Sequence, residues 1–138
     1  MRGSVLTIPF LLLLACLPAQ ADEGEHQPGT SVEMPYLIAP VVVDGTLVGN
    51  AYISTKIVAS SPSATIEVRA KLPFIQDAFV RDVNATPIGK ASDPRTVDVP
   101  ALTGRLLADV RRVVGANLVD AVTIIRVQLS PLHAWGRS

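Results

Sequence analysis

Two histidines, one cysteine and a loose scatter of serines and carboxylates are the groups with which this chain could do chemistry. A general base or a metal ligand needs a second group within reach, and His26 and His133 stand near opposite ends of the chain, outside every patterned segment. Ser54, Ser60, Ser61 and Ser63 have neither a nucleophile elbow around them nor a placed histidine, so acyl transfer has no support. Gly45, Gly49 and Gly89 do not assemble a phosphate-binding loop. Asp77 and Arg81 lie one helical turn apart, the spacing of a surface ion pair worth roughly 0.3 kcal/mol. No catalytic residue, metal site or cofactor is expected. Composition removes a further class: 12 basic and 12 acidic side chains cancel and form no basic block, so the attraction to phosphate on which nucleic-acid binding rests is missing.

The cysteine has a more specific context. Arg2, the apolar run Val5 to Leu17 and the small residues of "AQA" at Ala19 to Ala21 read as an export signal, residues 1–21, cleaved after Ala21. That run of 13 residues rises only about 20 Å as a helix, against roughly 30 Å of bilayer hydrocarbon. "LLAC", Leu13 to Cys16, also fits a lipoprotein box, so membrane association through a lipidated Cys16 stays open beside release, as does an uncleaved N-terminal segment. Cleavage after Ala21 removes Cys16, and thiol chemistry with it. It also removes Arg2 and no acidic residue, leaving a net charge of −1. The expected location is the bacterial periplasm.

Any surface chemistry has to be positioned by the elements that follow. At 138 residues and 49% apolar content, the chain has the length and the core-forming residues of one domain. Residues 22–34 are polar and read as a flexible tail. "YLIAPVVV", Tyr36 to Val43, reads as a strand in which Pro40 donates nothing, hence an edge or a bulge. "DGT" turns it into "LVGNAYISTKIV", where Leu47, Gly49, Ala51, Ile53, Thr55 and Ile57 share one face. Ala64, Val68, Leu72, Ile75, Phe79 and Val83 then follow at helical spacing. Pro73 inside that stripe would cost about 3 kcal/mol in a straight helix, which predicts two helices, Pro62 to Lys71 and Pro73 to Val83. Asn84 to Arg95 is a loop. Asp98 caps a third helix, Val99 to Val114, stopped by Gly115, with Leu102, Leu106, Val110 and Val113 inward and Arg105, Asp109 and Arg112 largely off the stripe. In the last strand, alternation puts Val119, Ala121, Thr123, Ile125, Val127 and Leu129 on one face. The expected fold is α/β of the α+β type: a small, mainly antiparallel three-stranded sheet with helices on one face, in the order β-β-α-α-α-β.

The progression from "YLIAPVVV" through "GNAYISTKIV", "KLPFIQDAFVRDV" and "VDVPALTGRLLADVRRVV" to "IIRVQ" resembles the periplasmic domain of the flagellar basal-body FliL family. The resemblance covers roughly residues 35–130 and rests on patterned apolar positions and one Leu-Pro step, with residues 131–138 as a C-terminal extension. It implies a non-enzymatic accessory domain that assembles side by side and supports the stator units of the flagellar motor, a role in cell motility and chemotaxis. Two features depart from the family: the short, cleavable apolar run stands where a full transmembrane helix is usual, and the Asn84 to Arg95 loop carries prolines in place of the family's text. The residues alone equally fit a periplasmic binding or structural module unrelated to motility.

Under either reading the partners are envelope or flagellar proteins, self-association included, with no nucleic acid. The candidate interaction surface consists of the edge strand, represented by Tyr36 and Pro40, the outer residues Gln76, Arg81 and Asp82 of the broken helix, and Trp135 beyond the last strand. Arg81 and Asp82 also fit an ordinary solvated face, and Trp135 fits packing back over the sheet edge.

Overall fold

The computed structural model describes Gly3 and residues 29–133. Apart from Gly3, the segment expected to be an export signal lies outside the described residues, as do Cys16, His26 and Trp135. The elements run β1 (Ser31–Glu33), β2 (Leu37–Val43), β3 (Thr46–Ala59), α1 (Pro62–Ala70), α2 (Leu72–Ala85), α3 (Val99–Val114), a short 3-10 turn (Ala116–Leu118) and β4 (Val119–Pro131). The sheet is antiparallel throughout, and all three helices pack on one face of it.

Long β3 is the spine. β4 pairs along one side of it from Gly49 to Ala59, while β2 and β1 lie in tandem along the other, opposite residues 46–53 and 56–58. The sheet therefore has four strands but is three wide, which corrects the three-stranded expectation. Within the flexible tail expected over residues 22–34, the described Ser31 to Glu33 are instead ordered sheet. Two apolar side chains two positions apart suffice here: buried Val32 and Met34 alternate with exposed Ser31 and Glu33. Backbone bonds from Ala59 N to Thr30 O (2.8 Å) and from Met34 N to Thr55 O (3.0 Å) bracket the strand.

β4 departs from simple alternation. Val58 pairs with Ala121 but Ala59 with Val119, and Ser54 pairs with Arg126 but Thr55 with Ile124, so Asp120 and Ile125 are extra residues at two bulges. Each bulge flips the side-chain parity. Val122 and Ile124, not Ala121, Thr123 and Ile125, therefore join Val119 and Val127 against the helices, and Ile125 is exposed. A third irregularity opposite Val41 and Val42 turns Leu47 outward and lets Val48 pack inward. Strand pairing also outlasts residue 130: Pro131 belongs to β4, and Leu132 N donates to Val48 O at 3.0 Å. At that end β3 and β4 approach so closely that a Cβ on Gly49 would sit 2.6 Å from Ser130 O.

The helices follow their local signals. Ser61 Oγ accepts from Ala64 N at 3.0 Å with Pro62 in the first turn, and Asp98 Oδ1 accepts from Ala101 N at 3.2 Å. The break falls at Lys71, which ends α1 and begins α2. Pro73 thus sits in the first turn of α2, where a helix has no acceptor for its missing N–H, and the penalty of a straight helix never arises. Ile75, Phe79 and Val83 of α2 and Leu102, Leu106 and Val110 of α3 are wholly or almost wholly buried in one cluster with Leu37, Ile53 and Ile57 of the sheet. Arg111 fastens the last turn of α3 to the start of β4 through Val119 O, at 3.2 and 3.3 Å.

Candidate interaction surfaces

Because the helices cover one face of the sheet, the side chains that alternate outward meet water. Ile38 and Tyr52 are direct cross-strand partners there, 51% and 37% exposed. Tyr36, just before β2, is 64% exposed and stands between two shallow depressions of about 250 and 200 Å³. The first is walled by Glu33, Ser54 and the bulged Ile125, the second by Tyr52 and Gln128. The surface thus presents two tyrosines and two isoleucines among polar neighbours, amphipathic rings over an apolar patch, a composition suited to contact with another protein. Neither β2 nor β4 has a strand on its outer edge among the described residues.

The second surface lies on the helical layer. A groove of about 570 Å³ runs between α2 and α3, lined by Phe74, Asp77, Arg81 and Asp82 on one side and Asp109 and Arg112 on the other. Arg81 and Asp77 pair at 2.7 Å in the open, as their spacing predicts. Asp82 does not sit on a solvated face. Its Oδ2 accepts from Arg105 Nε at 3.0 Å and Nη2 at 2.7 Å, and its side chain is only 17% exposed. Asp109 is more enclosed still: Oδ1 meets Arg112 Nη1 at 3.1 Å, and Oδ2 finds no hydrogen-bond partner among the described residues. Burial, and after it the charge of Asp82, pushes the Asp109 carboxyl above the usual range, against the opposing pull of Arg112.

Of the six residues that the sequence singles out, the structure brings Tyr36 and Gln76 together, since Gln76 Nε2 donates to Tyr36 O at 3.4 Å. Pro40 lies half-buried in edge strand β2, opposite Asn50. Arg81 and Asp82 line the groove, on a different surface. Sequence reasoning misses Asp109, Phe74 and the Ile38–Tyr52 pair. The alternation of β2 and β3 already places Ile38 and Tyr52 outward, whereas Asp109 is buried only because α2 packs against α3. Among the described residues, no group of histidine, cysteine and carboxylate side chains is placed to hold a metal, and no helix is long and apolar enough to cross a membrane. Compared with known protein families and with curated proteins, the chain matches none.

The enclosed carboxylate has a consequence for stability. A carboxyl whose folded pKa is raised favours folding more as pH falls, because the folded state takes up the proton first; its cost is fully present above the folded pKa and relieved towards the unfolded value of 3.8. Asp109→Asn is therefore expected to match or exceed the parent in melting temperature at pH 7, with the difference closing as the pH is lowered towards 4. Asp93 works in the opposite sense, since its bond from Thr96 holds the carboxyl below the ordinary range and its contribution disappears in acid. Melting curves of both Asp→Asn variants, carried from pH 7 to below the unfolded value of 3.8 so that the Asp93 window is included, separate the two; a large loss at pH 7 for Asp109→Asn would contradict the assignment.

Proposed function

We propose that this is a non-enzymatic assembly domain of the bacterial envelope, docking through the sheet face that its helices leave open. The observation that carries the reading is the paired exposure of Ile38 and Tyr52, flanked by Tyr36 and Ile125, on one side of a sheet whose other side is packed. The core is supplied by the inner face, so apolar side chains outside add little to the domain beyond their cross-strand contact. The FliL-like progression of elements suggests the stator units of the flagellar motor as the partner, reached from the periplasm by a released or lipid-anchored form. The proline-bearing loop after α2, which departs from that family, favours a second reading in which the same face serves an envelope assembly unrelated to motility.

Paired substitution of Ile38 and Tyr52 by lysine tests the surface. Both side chains are exposed, so a stability loss under about 1 kcal/mol is expected. Concentration-dependent mass in light scattering, or co-purification with stator proteins, should be lost. If the exported protein keeps its associations with both lysines in place, the open face is not the docking surface. Deletion of the gene in a motile host reports separately on the flagellar part, which fails if swimming is unchanged.

A further inference from the structure

One end of the sheet holds a hollow that its own strands cannot fill. On the helix-packed face the row Val41, Gly49 and Pro131 crosses β2, β3 and β4 with no side chain at its centre, and the next row is Ala39, Ala51 and Leu129. A side chain at Gly49 is barred, because its Cβ would meet Ser130 O at 2.6 Å. The helices stop short of this end, since Leu129 is 50% exposed although it alternates with Val127 onto the packed face. What remains is a depression of about 230 Å³ walled by Val41, Val48, Leu129 and Pro131, with Arg95 lining it from the loop before α3.

Arg95 is held there without being engaged. Gly89 bridges Val97, Lys90 N donates to Thr96 O at 2.9 Å and Arg95 N donates to Asp93 Oδ1 at 3.3 Å, which ties the loop backbone down. The Arg95 guanidinium itself has no hydrogen bond or ion pair among the described residues. A carboxylate would pair with that cation but leave the apolar walls bare. A flat aromatic ring serves both, offering carbon to the walls and a π face to the guanidinium, and aromatic side chains also shield glycines in sheets.

The chain carries one such group within reach. Leu132 N donates to Val48 O at 3.0 Å, so the chain leaves β4 beside the hollow. Trp135 follows Pro131 by four residues and its Cα can lie no more than about 14 Å away. A single β-turn over residues 132–135 would return it to within about 7 Å of Leu132. Ala134 and Gly136 beside it are small, and no other residue from 133 to 138 has a large apolar side chain.

We propose that the indole of Trp135 seats in cis in the hollow over Gly49, stacked on the Arg95 guanidinium, and covers the end of the sheet that the helices leave bare. The segment after β4 is then a built-in cap, and Trp135 is withdrawn from contact with partners. The hollow lies on the opposite side of the sheet from Ile38 and Tyr52, so the proposal does not rest on the docking role of the open face.

Trp135 is the single tryptophan of the chain and so reports on itself. Excited beyond tyrosine absorption, the folded full chain is expected to emit to the blue of N-acetyl-tryptophan amide and to resist acrylamide quenching, equally at every protein concentration. Arg95→Ala should raise the free fraction of the indole, and with it the quenching, about two- to fivefold. Leu129→Lys, which places a charge in the hollow, should move emission and quenching towards those of the free amide. Both side chains are exposed, so the fold should survive either change, and far-UV circular dichroism checks that it does. The lysine pair at Ile38 and Tyr52 should leave the emission as it is. Emission like the free amide in the folded parent, indifference to either hollow variant, or a response to the lysine pair would overturn the proposal. A blue shift that grows with concentration would overturn it too, by giving the hollow to the tryptophan of a second copy.

Discussion

Phe79→Ala is expected to remove about 3–5 kcal/mol of stability, enough to unfold much of the population of a domain this size at 37 °C. Phe79 is fully buried at the centre of the α2 stripe, between Ile75 and Val83, where α2 and α3 close over the sheet. The other buried members of the cluster carry no ring, so none among them can collapse into the space in its place. Phe74 lies five residues earlier on the same helix and is mostly exposed. Phe74→Ala is expected to change stability by no more than about 0.5 kcal/mol, which makes it an internal control for helix propensity and composition. Urea unfolding of the two variants is the measurement. A loss below about 1.5 kcal/mol for Phe79→Ala would mean that the site collapses freely and that α2 is not the lid of a single core.

The contrast between those two rings shows what a linear pattern can and cannot tell. Helical spacing assigns Phe79 inward and Phe74 outward, because the stripe is a property of one helix and needs no knowledge of its neighbours. The same locality makes Ser61, Asp98 and the Lys71–Pro73 break legible: a cap is a contact across three residues. Strand faces are different. Alternation assigns β3 correctly over Gly49 to Ile57, yet misassigns Ala121 to Ile125 of β4, because a bulge is a property of the pairing between two strands and leaves no composition signal in either. β1 is invisible for a related reason: with only Val32 and Met34 inward, its order depends on the β3 edge already being there. Asp109 sits one position away from Val110 on the inner stripe of α3, and a window on α3 alone cannot know that α2 will enclose it. The candidate site follows the same division. Exposed Tyr36 and Arg81 are readable from local pattern, whereas the burial of Asp82 and Asp109 emerges from helix packing.

That packing is fastened by a polar cluster at Arg105, and its removal is the other large effect. Arg105 donates to Asp82 Oδ2 from both Nε and Nη2, to Pro87 O from Nη1 at 3.1 Å and to Thr86 O from Nη2 at 3.2 Å. One guanidinium thus holds α3 to α2, neutralises a carboxylate and satisfies two carbonyls just beyond the end of α2. Arg105→Ala strands a largely enclosed Asp82 opposite Asp109 and is expected to cost about 2–4 kcal/mol at pH 7. Arg105→Lys should restore less than half of that, since an ammonium cannot reach three acceptors in the geometry of a planar fork. Removing Arg105 also takes away a charge that draws the Asp109 carboxyl down, leaving burial and Asp82 to push it further above the usual range. The Arg105→Ala deficit should therefore shrink as pH falls from 7 towards 4, while that of Phe79→Ala stays constant. Adding Asp82→Asn to Arg105→Ala should recover part of the loss at neutral pH, because the stranded charge goes even though the two carbonyls remain unserved. Urea titrations at pH 7 and pH 5 distinguish these outcomes, and a small, pH-independent loss for Arg105→Ala would mean that apolar contact alone joins α2 and α3.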